Sequence, residues 1–419
     1  MFFLYNSLVV ISEFILKIIA FFSPKIKLFV VGRNDVFEVL SKKISASDKT
    51  IWFHAASLGE YEQGLPVMEA IKTKFPDHKI ILTFFSPSGF EVRKNNVVAD
   101  VTVYMPLDIK SNVKKFLDLV KPEMVFFIKY EFWPNYLREL YKQQIKTYLI
   151  SGIFRENQVF FRWYGGFYRN ALQTFKYFFV QNDASKMLLQ SIGFQNIKVS
   201  GDTRFDRVAA ILDIDSRLDF MDSFVGGTST ALSGTSTKKT LVVIGSSWPK
   251  DEELLINYIN LSRSIKFVIA PHNICKTQID DLQSSITKKT ILFSEKGNKN
   301  LSEYDVLIVD IVGLLTKIYA YADIAFVGGG FGSPGVHNIL EPATFGIPIL
   351  VGPNFSHFAE AVALVNLGGC LSISNNEQLT EVFDSLIQNQ DERLEKGHIC
   401  STFVKMNVGA TALILNHLQ

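Results

Sequence analysis

The chain has 419 residues, which allows roughly two to three domains and cores large enough to need no disulfide staples. With 43 Lys+Arg against 41 Asp+Glu the formal charge is only +2, which argues against a dedicated nucleic-acid binder, and 47% hydrophobic against 20% charged residues excludes a largely disordered chain. Three cysteines, Cys275, Cys370 and Cys400, exclude a disulfide scaffold and show no metal-binding spacing, so a reduced compartment is the simplest reading. The unusual number is 13% aromatic residues, 36 of them Phe, which suggests a use beyond an ordinary core.

Residues 1–22 are apolar except for Asn6, Ser7, Ser12, Glu13 and Lys17. The length approaches the ~20 residues of a membrane span, but Glu13 and Lys17 sit mid-segment, where charge is costly in lipid. At helical spacing Asn6, Glu13 and Lys17 share one narrow face. A wide apolar face with a thin polar stripe predicts a helix lying in the membrane interface, with a true span or a helix packed on its own domain as alternatives. No positive leader or A-x-A site supports a cleavable signal peptide. Pro24 marks the expected end of this element. Lys25, Lys27 and Arg33 follow, placed to meet anionic headgroups or else lying in a solvated loop.

From residue 50 short β-branched and aromatic runs alternate with helical patterns. The first half offers strands at 51–56, 79–85, 101–105, 124–129, 146–151, 177–181 and 197–200, with helices such as 61–74 and 110–120 between them. None alternates cleanly, as expected of buried parallel strands in a doubly wound α/β sheet. Residues 222–239 are rich in Gly, Ser and Thr and read as a linker. The rhythm restarts at 240–245, 265–270, 290–293, 306–309, 324–328 and 348–351. The expected organisation is an apolar helix 1–24, an N-terminal domain 25–221, the linker, and a C-terminal domain 240–419. Ligands belong at the carboxyl ends of the strands, with a cleft between the halves as the default site.

Five segments carry chemistry. In AFVGGGFGSPGVHNILEP, 325–342, a strand runs into Gly328, Gly329, Gly330, Gly332 and Gly335, and a helix is expected near Asn338. Its amides could hold a phosphate, joined by His337 and Asn338, with Glu341 on ribose hydroxyls; the alternative is a structural glycine turn. The spacing is not that of a P-loop. In IGSSWPKDE, 244–252, Ser246 and Ser247 either donate to a phosphate or cap a helix. In WFHAASLGEYE, 52–62, Glu60 sits at a helix mouth, where an ionised carboxylate is favoured and could accept a proton; His54 reads as a core histidine. In KYEFWPN, 129–135, Glu131 follows a strand and either faces the site or braces the Glu60 loop. Arg155, Arg162, Arg169 and Lys176 recur every seven residues among aromatic side chains. On a helix they would form one basic face for a phosphorylated amphiphile or headgroups, or a solvated face over an aromatic core.

Taken together, SLGE at 57–60, YEFWPN at 130–135, GSSW at 245–248, APH at 270–272, GVHNILEP at 335–342 and GPN at 352–354 resemble the Kdo transferase family, over nearly the whole chain and in the family's order. The resemblance implies a GT-B fold with two Rossmann-like domains, and transfer of 3-deoxy-D-manno-octulosonate (Kdo) from CMP-Kdo to the lipid A precursor at the cytoplasmic face of the inner membrane. It implies that Glu60 is the catalytic base and Glu131 a second acidic residue near the site. It places CMP-Kdo against Ser246, Ser247, Pro271, His272, Val312, Gly313, Leu314, Gly329, Gly330, Gly335 and His337 to Glu341, including Asn338, Ile339 and Leu340. No metal or cofactor is expected. Three positions depart from the family: the arginine of its Pro-Arg-His stretch is absent, the chain running Pro271-His272-Asn273 with His272 as its partial replacement, Leu314 replaces a glutamate, and Ser246-Ser247-Trp248 replaces a Ser-Thr-His loop. Each loses a charge or donor near the nucleotide. The alternatives are a GT-B transferase or epimerase using a UDP-sugar, and a catalytically dead membrane-bound GT-B scaffold.

Overall fold

The structure, a computed structural model, describes residues 2–226, 239–333 and 335–418. It divides into two units, one running to Arg207 and resuming at Asn407, the other comprising Val208–Met406. The first unit holds seven parallel strands: β1 (Lys49–Ala55), β2 (His78–Phe84), β3 (Val101–Tyr104), β4 (Pro122–Ile128), β5 (Lys146–Gly152), β6 (Phe175–Val180) and β7 (Ile197–Val199), in the order β3-β2-β1-β4-β5-β6-β7. The second holds β8 (Thr240–Ser247), β9 (Ile265–Pro271), β10 (Thr290–Leu292), β11 (Val306–Ile308), β12 (Ile324–Val327), β13 (Ile349–Val351) and β14 (Cys370–Ser372), in the order β10-β11-β9-β8-β12-β13-β14. The strand at Cys370 escapes sequence reading because it is only three residues long.

Both faces of each sheet are covered, which is why the strands show no polar–apolar alternation. In the first unit Trp52 and Phe127 point into one core, while their neighbours Phe53 and Phe126 point into the other. Trp52 meets Phe116 at 4.8 Å and Phe127 at 5.4 Å between ring centres, and Phe53 stacks on Phe126 at 4.6 Å. Phe154, Phe160, Phe175, Phe178 and Phe179 are buried as well. Much of the aromatic excess is therefore core of the first unit, and the stretch 154–177 is largely packing rather than surface.

The domain limits differ from expectation. Residues 208–226 belong to the second unit, where Met221 and Phe224 pack with Leu241 and Val243. The expected linker 222–239 begins inside a helix, Asp219–Phe224, and residues 227–238 lie outside the described residues. The chain's end returns to the first unit. The Asp206 carboxylate accepts the Gly409 and Thr411 amides at the start of helix Ala410–Asn416, each at 2.6 Å, and Ile414 joins the core beside Leu65 and Met68.

The N-terminal element is a helix, Phe2–Ile19, followed by Pro24–Val31, with Pro24 opening the second helix. The first docks by its start: Phe2 packs on Phe167, Tyr5 donates to Asp108 at 2.7 Å, and Asn6 accepts from Asn135 at 3.1 Å. The rest leaves Phe3, Leu8, Ile11, Phe14, Ile15 and Ile18 exposed, with Glu13 and Lys17 paired at 2.9 Å. Arg33 does not face solvent as expected. Its guanidinium lies 3.7 Å over the Phe29 ring and donates to the carbonyls of Phe29, Phe85 and Met105, which anchors the second helix to the sheet edge.

Candidate functional site

Parallel pairing sends every βα turn of a sheet to one edge. In the first unit this places the turns after β1 and β4, which are adjacent strands, side by side. Glu60 lies in the first turn of helix Leu58–Lys74, which starts three residues before the predicted 61, and it is buried apart from a small opening. The Ser57 hydroxyl donates to its carboxylate. Four free amides at a helix start favour a negative charge there. Glu131 sits in the turn after β4, and its Oε2 accepts the Trp133 indole N–H at 2.9 Å. That Oε2 also lies 3.5 Å from Nε2 of His54, whose ring is fully buried at the end of β1. His54 is thus a core residue in burial but is set against Glu131.

The basic residues do not share a helix. Arg155 lies in a turn, Arg162 follows a 3₁₀ turn at Val159–Phe161, Arg169 is in helix Gly166–Leu172, and Lys176 is in β6. A turn at residues 163–165 separates Arg162 from helix Gly166–Leu172, and it packs so closely that a side chain at Gly165 would strike the Val159 carbonyl. Arg169 is turned inward and donates to the Phe160 and Arg162 carbonyls at 2.9 Å. Arg155 instead borders an open groove of about 460 Å³ lined by Tyr130, Phe132, Gln158, Phe160 and Tyr168, and the residues on either side of Glu131 form one of its walls.

In the second unit the residues assigned to the nucleotide gather at the carboxyl ends of β8, β9, β11 and β12. Ser247 ends β8, Pro271 ends β9, and the His272 amide donates to the Ser247 carbonyl at 2.9 Å. Trp248, His272 and His337 form one aromatic cluster. The Trp248 indole N–H donates to His337 Nε2 at 2.8 Å with the two rings nearly coplanar, and the His272 ring stacks on both, at 4.6 and 4.4 Å. Burial, with the neighbouring His272, lowers the His337 pKa to about 4, and burial lowers that of His272. His337 is therefore a neutral ring whose remaining N–H is on Nδ1.

The glycines serve the backbone's own packing. Gly329 has φ +96°, and a Cβ at Gly330 would lie 2.6 Å from the Gly352 nitrogen. Buried Asp251 ties the turns together by accepting the amides of Trp248 at 2.9 Å and Gly329 at 2.7 Å. The Ser247 hydroxyl donates to Glu252 at 2.7 Å, and Ser246 adopts φ +54°; neither serine side chain caps the helix Pro249–Leu261.

The helix expected near Asn338 begins at Leu340 and ends at Thr344. Five residues carry little macrodipole, so the local donors are mainly turn amides. Asn338 is exposed, accepts the Leu340 amide at 3.1 Å and donates to Glu341 at 3.0 Å, while Glu341 also accepts the Thr316 hydroxyl at 2.8 Å. Ile339 and Leu340 are buried. Of the loop after β11, Val312 is exposed, Gly313 has φ +97°, and Leu314 leads into helix Leu315–Tyr319. Gly335 has φ +79° and lies against the Phe358 ring. Sequence reading missed Trp248, Asp251 and Trp133 as parts of these edges; each lay inside a motif already singled out.

Residues 34–207 match the family model for 3-deoxy-D-manno-octulosonic-acid transferase (kdotransferase). The 3-deoxy-D-manno-octulosonic acid transferase of Chlamydia trachomatis is 28% identical over 86% of this chain and 84% of its own, and that of Aquifex aeolicus 26% over 85% and 92%. The chain is thus similar to Kdo transferases over most of its length. Its fold is similar to that of UDP-GlcNAc 2-epimerase from Neisseria meningitidis (TM-score 0.60, 16% identity, 88% of this chain and 99% of that one) and MurG from Acinetobacter baumannii (TM-score 0.53, 10% identity, 88% and 98%). The architecture of this Kdo transferase relative is thus GT-B, with two Rossmann-like domains.

Proposed function

We propose that the protein transfers Kdo from CMP-Kdo to a lipid A precursor at a membrane surface, with inversion at the anomeric carbon. The observation that carries this reading is Glu60: a nearly buried carboxylate, in the first turn of a helix at the strand-end edge, oriented by Ser57. The acceptor hydroxyl oxygen forms a bond to the anomeric carbon, its proton passes to Glu60, and the bond to the CMP phosphate breaks with its electron pair leaving on the phosphate oxygen. Positioned base catalysis of this kind contributes about 10²–10⁴-fold. The reading invokes no metal or cofactor. The charge on the departing CMP falls to the turn amides and neutral His337 of the second unit, with His272 and Trp248 as a flat wall for the nucleotide.

Two structural departures from the expected mechanism shape it. Ser247 is committed to Glu252, and the helix at Leu340 is short, so phosphate stabilisation rests on the amides after β8 and β12. On the acceptor side, the groove bordered by Arg155 and the aromatic rings beside Glu131 suits a phosphorylated sugar, whose faces stack on rings and whose phosphate pairs with a guanidinium. Arg162, Lys176 and the exposed apolar face of helix Phe2–Ile19 suit an anionic bilayer; among the described residues that helix is long and apolar enough to cross one, but its paired Glu13 and Lys17 favour an interfacial position.

The test is purified full-length protein with CMP-Kdo and lipid A precursor, followed by mass spectrometry of the lipid. A lipid heavier by one or more Kdo residues is expected. Calorimetry with CMP and UDP accompanies it: preference for UDP would overturn the donor assignment in favour of a UDP-sugar enzyme, and binding without transfer would favour a scaffold.

A further inference from the structure

His54 is a histidine buried in a strand, and its two nitrogens meet different surroundings. Parallel register sets it opposite Thr83 on β2 and Phe127 on β4. Nδ1 lies 2.9 Å from the Thr83 hydroxyl, which also accepts the Trp52 indole N–H at 2.8 Å. Nε2 is buried and makes no hydrogen bond within ordinary limits; the polar atom facing it is Glu131 Oε2, 3.5 Å away.

Proton counting decides what Nε2 carries. Trp52 can only donate, so it uses one lone pair of the Thr83 oxygen. If the Thr83 hydroxyl gives its proton to Nδ1, the neutral ring holds its own proton on Nε2. If Thr83 instead turns to the Phe53 carbonyl, 3.3 Å away, Nδ1 must be the donor to Thr83. Nε2 would then set a bare lone pair against a carboxylate oxygen unless it too were protonated. An unpaired buried acceptor facing a carboxylate is costly, so both arrangements that satisfy the groups place a proton on Nε2, directed at Glu131.

We propose that His54 is a positioning residue for the transfer reaction: its Nε2–H and the Trp133 indole N–H grip Glu131 Oε2 from two sides, leaving Oε1 to face the substrate. This rests on the Kdo-transfer reading of the edge. The 3.5 Å contact is longer than an ordinary N–H···O bond, and catalytic hydrogen bonds of this kind tighten once the reacting groups are engaged. His54 touches no substrate itself; it acts through Glu131, as the inner partner in a chain Trp52–Thr83–His54–Glu131.

The positional amides separate this role from simple packing. The side-chain amide of Asn reaches where Nδ1 stands, and that of Gln reaches where Nε2 stands. His54→Asn lowers kcat for transfer by roughly 10- to 100-fold at unchanged KM for CMP-Kdo, and His54→Gln recovers most of it. Equal losses in both variants, or a loss confined to KM, would overturn the proposal, with circular dichroism melts excluding variants that fail to fold. Full-length protein labelled with ¹⁵N-histidine gives a readout that needs no substrate. His54 is expected to show a protonated Nε2 whose shift moves in Glu131→Gln, and an unprotonated Nε2 at neutral pH would sink the idea. Failure of the wild-type protein to transfer Kdo would overturn the parent reading, while the nitrogen shifts would still decide the His54–Glu131 pair.

Discussion

The strand-end edges of the two units are built from opposite materials. In the first unit the polar groups are acids held mainly by side-chain donors: Glu60 by Ser57, Glu131 by Trp133, and Asp108 by the Tyr5 hydroxyl together with the backbone amides of Asn135 and Tyr136. In the second unit glycine backbone crosses glycine backbone, a buried aspartate collects amides, and the exposed chemistry is a cluster of neutral imidazoles with one indole. The same parallel topology therefore serves two purposes. Held carboxylates can take up a proton, whereas close-packed turns with N–H donors suit an anion. The second edge cannot supply the base, because burial lowers the pKa of both its imidazoles and leaves them poor proton acceptors near neutrality.

The comparison can be broken most sharply at Glu60. Glu60→Gln is expected to lower transfer by about 10²–10⁴-fold while calorimetry shows CMP-Kdo binding unchanged, since the proposed donor site lies on the other unit. Wild-type-like turnover in that variant would remove Glu60 as the base. Next in size is Gly330→Ala. Its Cβ would meet the Gly352 nitrogen at 2.6 Å with no flexible side chain to give way, so the second unit should lose about 1–3 kcal/mol and bind CMP more weakly. Chemical denaturation followed by a probe in each unit should show the first unit unmoved.

Proton linkage sharpens the contrast. His337 is depressed from 6.5 to about 4 by burial and by His272. A depressed group contributes stability that is present above its unfolded pKa, so this contribution is lost as pH falls from about 6.5 towards 4. Asp108 runs the other way. Burial raises it from 3.8 to about 6 against the donors around it, so its contribution is full below 3.8 and lost as pH rises through about 6. Denaturation between pH 4 and 7 should show His337→Gln and Asp108→Asn changing the pH slope in opposite directions. A shared direction would mean that the two edges do not differ in this way.

The smallest effects belong to the N-terminal helix. Deleting residues 1–22 should release the protein from anionic vesicles in a flotation assay while leaving the fold in place, at a cost of about 1 kcal/mol for the lost Tyr5–Asp108 bond. A truncated protein that still floats with the vesicles would show that Arg155, Arg162 and Lys176 suffice.

The sequence by itself determined every strand but the short one at Cys370–Ser372, the two-sheet plan and the motifs at the strand ends. β-branched and aromatic runs of strand length declare themselves locally, and βα turns must lie at one edge once the strands are parallel. Glu60 was legible for the same reason, since its place at a helix mouth is set by the residues around it. Only tertiary structure decided the rest. The spacing of Arg155, Arg162, Arg169 and Lys176 had the period of a helix, yet a turn at Gly165 and the pairing of β6 with β5 took the segment apart. Arg33 looked like a surface cation and became a half-buried anchor once Phe29, Phe85 and Tyr104 closed around it. His54 read as core because burial follows from its strand, but its partners come from β2 and from the turn after β4, far off in the chain. Local sequence specifies what a residue can become; which carboxylate, ring or carbonyl it meets depends on strand order and register, and those are settled only when the whole sheet packs.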